Sequence, residues 1–510
     1  MKETTIRTME ANPTFVRKRR LMMFAFIIRM VLIGVEYAVI LPSVWLYVQT
    51  FNMPSWYMAV IVASYPFAAM LAMPLVGRIY DKTNRAKEII VALNIFQVVG
   101  NLLYAIPISL WLPLVGRFLS GIGDAFVTCA IGEVTVTYEE KYRTGIFSLL
   151  ELGRVLGLIF GPTLNFFIQK ADFKIWRWHL NYVTLPGAIM AAAWLVFCFV
   201  TSYCVFNLAK MVLDEEKRQS NTLAKSHQFY DSPKSKRLST ANEHFYGDSD
   251  DDLETDRSPL VSNNTVIEKS INEDHGGKRL AKTLDENGPK TQAATTPSVK
   301  EILKIMMSFD FCILFYVDVV LFLAQTQFEL LAPLISESDY HWTQQYVGLI
   351  YVVGGIELIV IFGLIYFFGH RYPVQDSYLL FISLFLNLAA INLIMFETYP
   401  QSITQREYFF CATCLFVFAS IPLNMVASKS LFTKILDAES QGLVQGVYSS
   451  LSRIALIAGP LLGSVAYIHR SIFCLVMSVS FVFGIIGLFF ALPSIKRRQE
   501  NMQMKKGIQN

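Results

Sequence analysis

Residues 77–87 read Gly-Arg-Ile-Tyr-Asp-Lys-Thr-Asn-Arg-Ala-Lys, and this short basic stretch connects two apolar segments. Gly77 has no Cβ, so another helix can approach it closely. Asp81 can end its helix as an acceptor for a neighbouring helix terminus or an arginine. Asn84 stands at the turn position that needs a positive φ, which asparagine tolerates. The stretch predicts a tight turn between packed helices; the alternative is an ordinary solvated basic loop.

Long apolar segments recur on both sides of this stretch. A helix of about 20 residues crosses a hydrocarbon layer, and a helix leaves no backbone amide unpaired there. The sequence therefore predicts an all-α membrane protein with twelve transmembrane helices in two six-helix halves. We place the spans at about 21–48, 55–77, 88–108, 112–137, 145–168, 180–206, 309–335, 344–368, 374–396, 407–432, 442–467 and 471–493.

Composition agrees with this interpretation and excludes several functions. Hydrophobic residues make up 54% of the chain and charged residues 16%, and the mean hydropathy is +0.42. A formal net charge of +4 is too small to indicate a nucleic-acid partner. The seven cysteines lie within or beside apolar segments, which argues against a disulfide framework. No nucleophile, phosphate loop or metal-ligand pattern indicates an enzyme, a cofactor or a metal site.

Lysine and arginine are concentrated at the amino end, in the stretch around Asp81 and at the carboxyl tail. The positive-inside rule then places both termini in the cytoplasm. Residues 214–300 contain 16 acidic and 13 basic residues and few aromatic ones, a composition typical of disorder. The predicted segments are a cytoplasmic tail (1–20), an amino-terminal bundle (21–206), a mostly disordered cytoplasmic loop (207–305), a carboxy-terminal bundle (306–493) and a basic cytoplasmic tail (494–510).

Three motifs resemble the signatures of the major facilitator superfamily. They are the stretch 77–87, the run from Gly116-Arg117 to Asp124 in span four, and the glycines of span five. In span five Arg154 precedes a Gly-Pro pair by seven residues, and in span eleven Arg453 precedes another by six. The resemblance implies the fold of that superfamily, with two duplicated halves that rock about a central cavity. It also implies a set of conformational residues: Gly77, Asp81, Arg85, Gly153, Gly157, Gly161, Pro162, Gly459 and Pro460.

More specific motifs resemble the family of major facilitator superfamily domain-containing protein 8, the ceroid-lipofuscinosis neuronal 7 protein. They are Phe328-Glu329 with Pro333, Asp339 to Thr343, Gly355-Ile-Glu357, and the runs 431–436 and 441–453. This resemblance implies a late endosomal or lysosomal membrane and a solute transporter, for which an anion conductance has also been proposed.

Charged residues inside the spans predict the site. Each costs at least about 2.5 kcal/mol at mid-bilayer, so each needs a partner, water or a shifted pKa. Both signs together suit an anionic or zwitterionic solute, with Arg117 or Lys429 holding the solute and Glu36 or Glu329 carrying a proton. Glu151 and Arg154, three residues apart, are expected to form a structural ion pair. The predicted solute and proton pathway comprises Arg29, Glu36, Arg117, Asp124, Asp318, Glu329 and Lys429.

Some of these charges have a plainer interpretation. Glu133, Glu329 and Lys429 could lie near span ends and face water. In the charged loop, Asp256, Leu260 and Val261 approximate an acidic dileucine sorting signal that adaptor proteins would bind. The leading hypothesis is a proton-linked secondary transporter of a small solute in the lipid bilayer. A channel-like anion (chloride) pathway on the same fold and a non-transporting sensor or scaffold are the alternatives.

Overall fold

The computed structural model describes residues 2–508 except 54–55, 169–171, 176–177, 231–305, 343, 372–374, 398–401 and 436–440. The predicted sorting signal at Asp256, Leu260 and Val261 lies outside the described residues. Residues 1–216 and 297–510 form one compact unit. Of the other unit, residues 217–296, only the end of one helix is described.

The amino-terminal half consists of helices joined by short connections. A two-stranded antiparallel hairpin, β1 (Asp172–Ile175) and β2 (Trp178–Asn181), pairs Asp172 with Asn181 and connects the seventh and eighth helices. The helices are α1 (Lys2–Glu10), α2 (Pro13–Thr50), α3 (Trp56–Thr83), α4 (Ala86–Tyr104), α5 (Trp111–Gly123), α6 (Phe126–Thr137), α7 (Glu140–Ile168), α8 (Leu185–Cys204) and α9 (Leu208–Tyr230).

The carboxy-terminal half repeats the pattern with six long helices. They are α10 (Phe309–Ser338), α11 (Gln344–Arg371), α12 (Asp376–Glu397), α13 (Ile403–Ile435), α14 (Gln441–Ile468) and α15 (Arg470–Ile508). Among the described residues, 11 segments are long and apolar enough to cross a membrane, with α5 and α6 forming one of them. The 28-residue α14 takes the remaining place, so the architecture is that of a twelve-helix membrane protein.

The apolar residues divide between the outside and the interior as a lipid environment requires. Phe199, Phe367 and Phe489 are large exposed side chains on the outer faces. A buried cluster that includes Phe126 and Phe418 draws on both halves. A second cluster belongs to the carboxy-terminal half and packs the rings of Phe432 and Tyr448 4.5 Å apart, among others. The halves are thus held by a continuous interior core.

The fourth span is broken in the middle, whereas the sequence predicted one helix over 112–137. Helix α5 ends at Gly123 and α6 begins at Phe126. Gly121 and Gly123 weaken the helix locally, and both pack so tightly that an added Cβ would overlap the Tyr65 carbonyl or the Gln97 side chain. The break places Asp124 at a turn inside the membrane-spanning part of the protein.

The segment 207–305, predicted to be a mostly disordered loop, begins with a helix. Helix α9 starts at Leu208, and the buried Glu133 accepts a hydrogen bond at 2.9 Å from the backbone N–H of Ala209. Leu208 and Val212 are buried. A carboxylate at the helix start and an apolar stripe therefore order the first part of the charged segment. Glu133 is buried, so the interpretation that it faces water near a span end was wrong.

One end of the molecule carries the connections α3–α4 and α6–α7, and we call it the basic side. Asn84, in the first connection, has a φ of 49°, in the left-handed region as predicted. Arg19, in the first turns of α2, donates to the Thr137 carbonyl at the second connection at 3.0 Å. The start of α2 therefore lies on this same side.

Candidate functional site

Two ion pairs within the spans join the halves. Asp124, at the turn between α5 and α6, pairs with Arg453 of α14. Glu151 of α7 pairs with Lys429 of α13. Each carboxylate comes from the amino-terminal half and each cation from the carboxy-terminal half. The two halves are thus held together by opposite charges across their interface.

Glu151 also holds a cation of its own helix. The Nε atom of Arg154 lies 2.9 Å from Glu151 Oε2, one helical turn away. The Arg154 Nη2 atom lies 3.1 Å from the sulfur of Met425, one turn before Lys429 on α13. One carboxylate therefore neutralises two cations only in part, and a net positive charge remains at this point.

The cations of this central group are more accessible than their carboxylate partners. The side chains of Arg154, Arg453 and Lys429 are 25%, 16% and 13% exposed, whereas those of Glu151 and Asp124 are 3% and 2% exposed. A solute that reached the centre would meet guanidinium and ammonium groups first. This accessible surface suits a negatively charged group.

One exposed acid stands near these cations. Glu329 of α10 accepts a hydrogen bond at 2.9 Å from Gln325 Nε2 and is close enough to Arg154 for their charges to interact. The exposed tyrosines Tyr37 of α2 and Tyr351 of α11 flank it. Glu329 is thus the accessible carboxylate of the predicted pathway, beside three helices from both halves.

Other predicted pathway residues form a closed network inside the amino-terminal half. Glu36 lies 2.9 Å from Arg117 Nη1 and accepts a hydrogen bond at 2.7 Å from Trp194 Nε1. The Arg117 guanidinium stacks 4.4 Å from the Tyr65 ring centre. Arg29 lies over the Trp194 ring at 5.0 Å. The structure brings these charges together and buries them.

Asp318 has a similar closed position in the other half. It is buried on α10 and accepts hydrogen bonds from the hydroxyl groups of Tyr448 and, at 2.5 Å, Ser452, both on α14. Only the charge of Asp318 was visible in the sequence, because its hydrogen-bond partners are neutral and lie 130 and 134 residues away.

On the basic side, the motif around Asp81 links the two halves, and we call such a contact between the halves a fastening. The Asp81 carboxylate accepts hydrogen bonds from the backbone N–H groups of Gly442 at 2.7 Å and Leu443 at 2.8 Å, at the start of α14. An added Cβ on Gly77 would overlap the Gly442 carbonyl. Arg85 is exposed at the start of α4. A carboxylate on a helix N-terminus is favourable, so this contact closes the basic side.

A second fastening on the basic side was missed by the sequence interpretation. Asp376, at the start of α12, lies 2.7 Å from Lys434 and accepts a hydrogen bond at 2.9 Å from Thr144 at the start of α7. Arg143 donates to the Thr433 carbonyl at 3.0 Å. Nearby, Gly369 packs against Gly145, as Gly77 packs against Gly442 at the first contact.

The glycine stripe of span five packs within one half. An added Cβ on Gly157 would overlap the Val31 carbonyl of α2, and Gly153 and Gly161 lie against the same helix. In the other half, Gly459 of α14 lies against Thr326 of α10. Pro162 and Pro460 continue these two helices. The glycines of each half therefore allow close contacts between helices of that same half, and their conformational role stays a prediction.

Two six-helix halves, two basic-side fastenings and a charged centre are the arrangement of one known group of membrane proteins. Residues 22–431 match the sequence profile of the Major Facilitator Superfamily. The chain belongs to the major facilitator superfamily. Its twelve-helix fold is the transporter fold of that superfamily, and this membership favours a transporter over an enzyme.

Solved structures of the superfamily have the same fold. The crystal structure of the human organic anion transporter MFSD10 (TETRAN) aligns with 92% of this chain and 99% of its own, with a TM-score of 0.59 and 14% identity. The proton:xylose symporter XylE bound to 6-bromo-6-deoxy-D-glucose aligns with 93% of this chain and 95% of its own, with a TM-score of 0.59 and 12% identity. At these identities the likeness concerns the fold alone.

Relatives found by sequence match only short segments of this chain. An SPX domain-containing membrane protein of Arabidopsis thaliana is 33% identical over 109 residues, 20% of this chain and 15% of the plant protein. A D-xylose transporter of Levilactobacillus brevis is 22% identical over 160 residues, 31% of this chain and 35% of the bacterial protein. The chain thus spans a small part of the length of the relatives it matches.

Proposed function

We propose that this protein is a secondary active transporter of a small anionic or zwitterionic solute, coupled to protons and working by alternating access. The accessible cations carry the proposal: Arg154, Arg453 and Lys429 reach the accessible surface while their carboxylate partners stay behind them. Superfamily structures include an organic anion transporter and a sugar symporter. The partly exposed cations favour an anion over a neutral sugar.

The mechanism follows from what each contact does. The two basic-side fastenings keep that side closed while a solute reaches the centre from the opposite side. A solute anion that displaces Asp124 or Glu151 from its cation weakens the contact between the halves, so that the basic side opens. Glu329 is the carboxylate best placed to carry a proton, since it is exposed beside Arg154.

The location is part of the same proposal. The motifs between Phe328 and Arg453 support membership of the family of major facilitator superfamily domain-containing protein 8, and hence a late endosomal or lysosomal membrane. The positive-inside rule supports a cytoplasmic basic side with both termini there. Asp256, Leu260 and Val261 would then be available to sorting adaptors.

Flux in proteoliposomes tests the proposal. We expect saturable uptake of a small anion that follows an imposed pH gradient. The charge-neutral pair Asp124→Asn with Arg453→Gln should lower uptake by about tenfold or more, since a lost charged contact is worth about 1.4 kcal/mol or more. The same paired exchange at the exposed residues Asp214 and Lys496 is the matched control.

The alternatives give different results in the same experiment. Conductance without coupling to the pH gradient would support the channel-like pathway. If no anion moves and only deletion of residues 231–305 removes biological activity, the scaffold hypothesis replaces the transporter. Metabolite profiling of lysosomes with and without the protein would identify the solute, because a missing exporter leaves its solute behind.

A further inference from the structure

Arg29 is the most deeply buried cation of the described chain that lacks a carboxylate in contact with it. Its Nη2 atom donates to the Gly123 carbonyl at 2.8 Å, and its guanidinium lies 4.4 Å from the Phe126 ring centre and 5.0 Å from that of Trp194. Its Nε and Nη1 atoms have no hydrogen-bond partner among the described residues. A buried charge with unpaired N–H groups is unfavourable for the folded state, so we expect a compensating role of Arg29 in another conformation.

Asp124 is the carboxylate that could compensate the charge of Arg29. This residue follows Gly123, whose carbonyl Arg29 already holds, and its charge acts on Arg29. In the described conformation, however, Asp124 pairs with Arg453 across the interface between the halves. Arg29 therefore stands beside a carboxylate that is engaged elsewhere.

Alternating access requires this cross-interface pair to break. Arg453 moves with α14 and the carboxy-terminal half, whereas Arg29 and Asp124 belong to the same half and move together. Once α14 leaves, Asp124 would be a buried carboxylate without a partner, which is strongly unfavourable. After a local rotation at the α5–α6 break, the unused N–H groups of Arg29 Nε and Nη1 can donate hydrogen bonds to this carboxylate.

We propose that Arg29 is the second partner of Asp124: the carboxylate pairs with Arg453 when the basic side is closed and with Arg29 when it is open. Arg29 is then a positioning residue, since it never meets the solute. The exchange frees Arg453, and a solute anion takes the place of Asp124 on that guanidinium. The exchange of partners rests on the alternating access of the proposed function, and the last step rests also on its anionic solute.

A distance measurement without solute tests the exchange. Spin labels at Lys82 and Arg371, both exposed on the basic side, report the populations of the closed and open states, with the exposed Cys312 and Cys411 replaced by serine. Arg29→Gln should reduce the open population by about tenfold, because Asp124 loses its partner in that state. Arg19→Gln, on the same helix with its own carbonyl acceptor, is the control and should leave the populations unchanged.

A merely structural role of Arg29 gives another pattern. If Arg29 acts through Asp124, Arg29→Gln has no further effect on the populations once Asp124→Asn is present, and Arg29→Lys retains the populations of the native protein even if its thermal midpoint falls. An equal shift in the Asp124→Asn background, or no shift at all, overturns the inference.

Poor folding of the Arg29→Gln variant still gives a test, and anion flux distinguishes this inference from the proposed function. If Arg29→Gln alone does not assemble, recovery of assembly with Asp124→Asn supports the coupling, and failure to recover it contradicts the coupling. Unchanged populations with normal anion flux would overturn the inference alone. The expected shift without any anion flux would overturn the proposed function alone.

Discussion

Glu36 and Asp124 are buried carboxylates that both pair with an arginine, yet their pairs lie in different places. The Glu36–Arg117 pair belongs to one half and is further held by Trp194. The Asp124–Arg453 pair joins the halves, and its arginine is partly exposed. Under the proposed alternating access, a pair within one half stays intact, whereas a pair between the halves breaks. The first kind therefore supports the fold, and the second sets the balance between conformations.

The largest expected effect lies within the half. Glu36→Leu leaves Arg117 buried without its carboxylate, and we expect a loss of about 3–5 kcal/mol of stability. Thermal unfolding of the purified protein in detergent measures it. The double variant Glu36→Leu with Arg117→Met should recover most of the loss, since no charge is left unpaired. A single variant as stable as the native protein would remove the basis of the comparison.

Glycine contacts sharpen the same comparison at a smaller scale. Gly157→Ala drives a Cβ into the Val31 carbonyl within one half, and Gly77→Ala drives one into the Gly442 carbonyl between halves. Overpacking of this kind costs about 1–3 kcal/mol. Gly157→Ala should lower the thermal midpoint, and Gly77→Ala should instead open the basic side. Equal losses of stability in both variants would contradict the distinction.

The Asp81 fastening should affect conformation more than stability. Asp81→Asn weakens the acceptor for two backbone N–H groups of α14, which we expect to favour opening by about tenfold, or about 1.4 kcal/mol. The labelling rate of a cysteine at Ser450 measures it, since that hydroxyl donates to the Met70 carbonyl of the other half at 2.7 Å. Asp214→Asn, an exposed acid, is the control, and an unchanged rate would show that the contact does not close the basic side.

The smallest effect belongs to Glu139, in the connection between α6 and α7. Burial raises the pKa of its carboxyl, but hydrogen bonds from Lys141 and Arg7 outweigh burial, so the pKa is lowered. The contribution to stability is present above the unfolded pKa of about 4.3 and disappears as the pH falls through the lower folded value.

The lowered pKa of Glu139 predicts how its contribution to stability changes with pH. At neutral pH, Glu139→Gln should cost at most about 1 kcal/mol, because its partners are exposed. The two proteins should converge in thermal midpoint only below about pH 4, and at about pH 5, as in an acidic compartment, the native protein should keep its advantage. A difference that vanishes already at neutral pH would mean that the exposed pairs contribute nothing.

Much of the fold followed from the sequence, and less of the site did. The turn at Asn84 and the close approach at Gly77 followed from residue type, because few residues tolerate those conformations. The partners of the predicted charges did not follow. Glu151 was expected to pair with Arg154, and it also pairs with Lys429, 278 residues away. Helix α9 was missed because the carboxylate at its start, Glu133, comes from another span.

The sequence by itself determined how many times the chain crosses the membrane, because a hydrocarbon layer demands about 20 apolar residues for each helix whatever the neighbours are. The tertiary structure alone decided which charge meets which. Asp124 and Arg453 carry no sign of each other in the sequence, and only the break in the fourth span and the packing of α14 bring them together. Charge pairing depends on distances between helices, whereas membrane crossing depends on the chain alone.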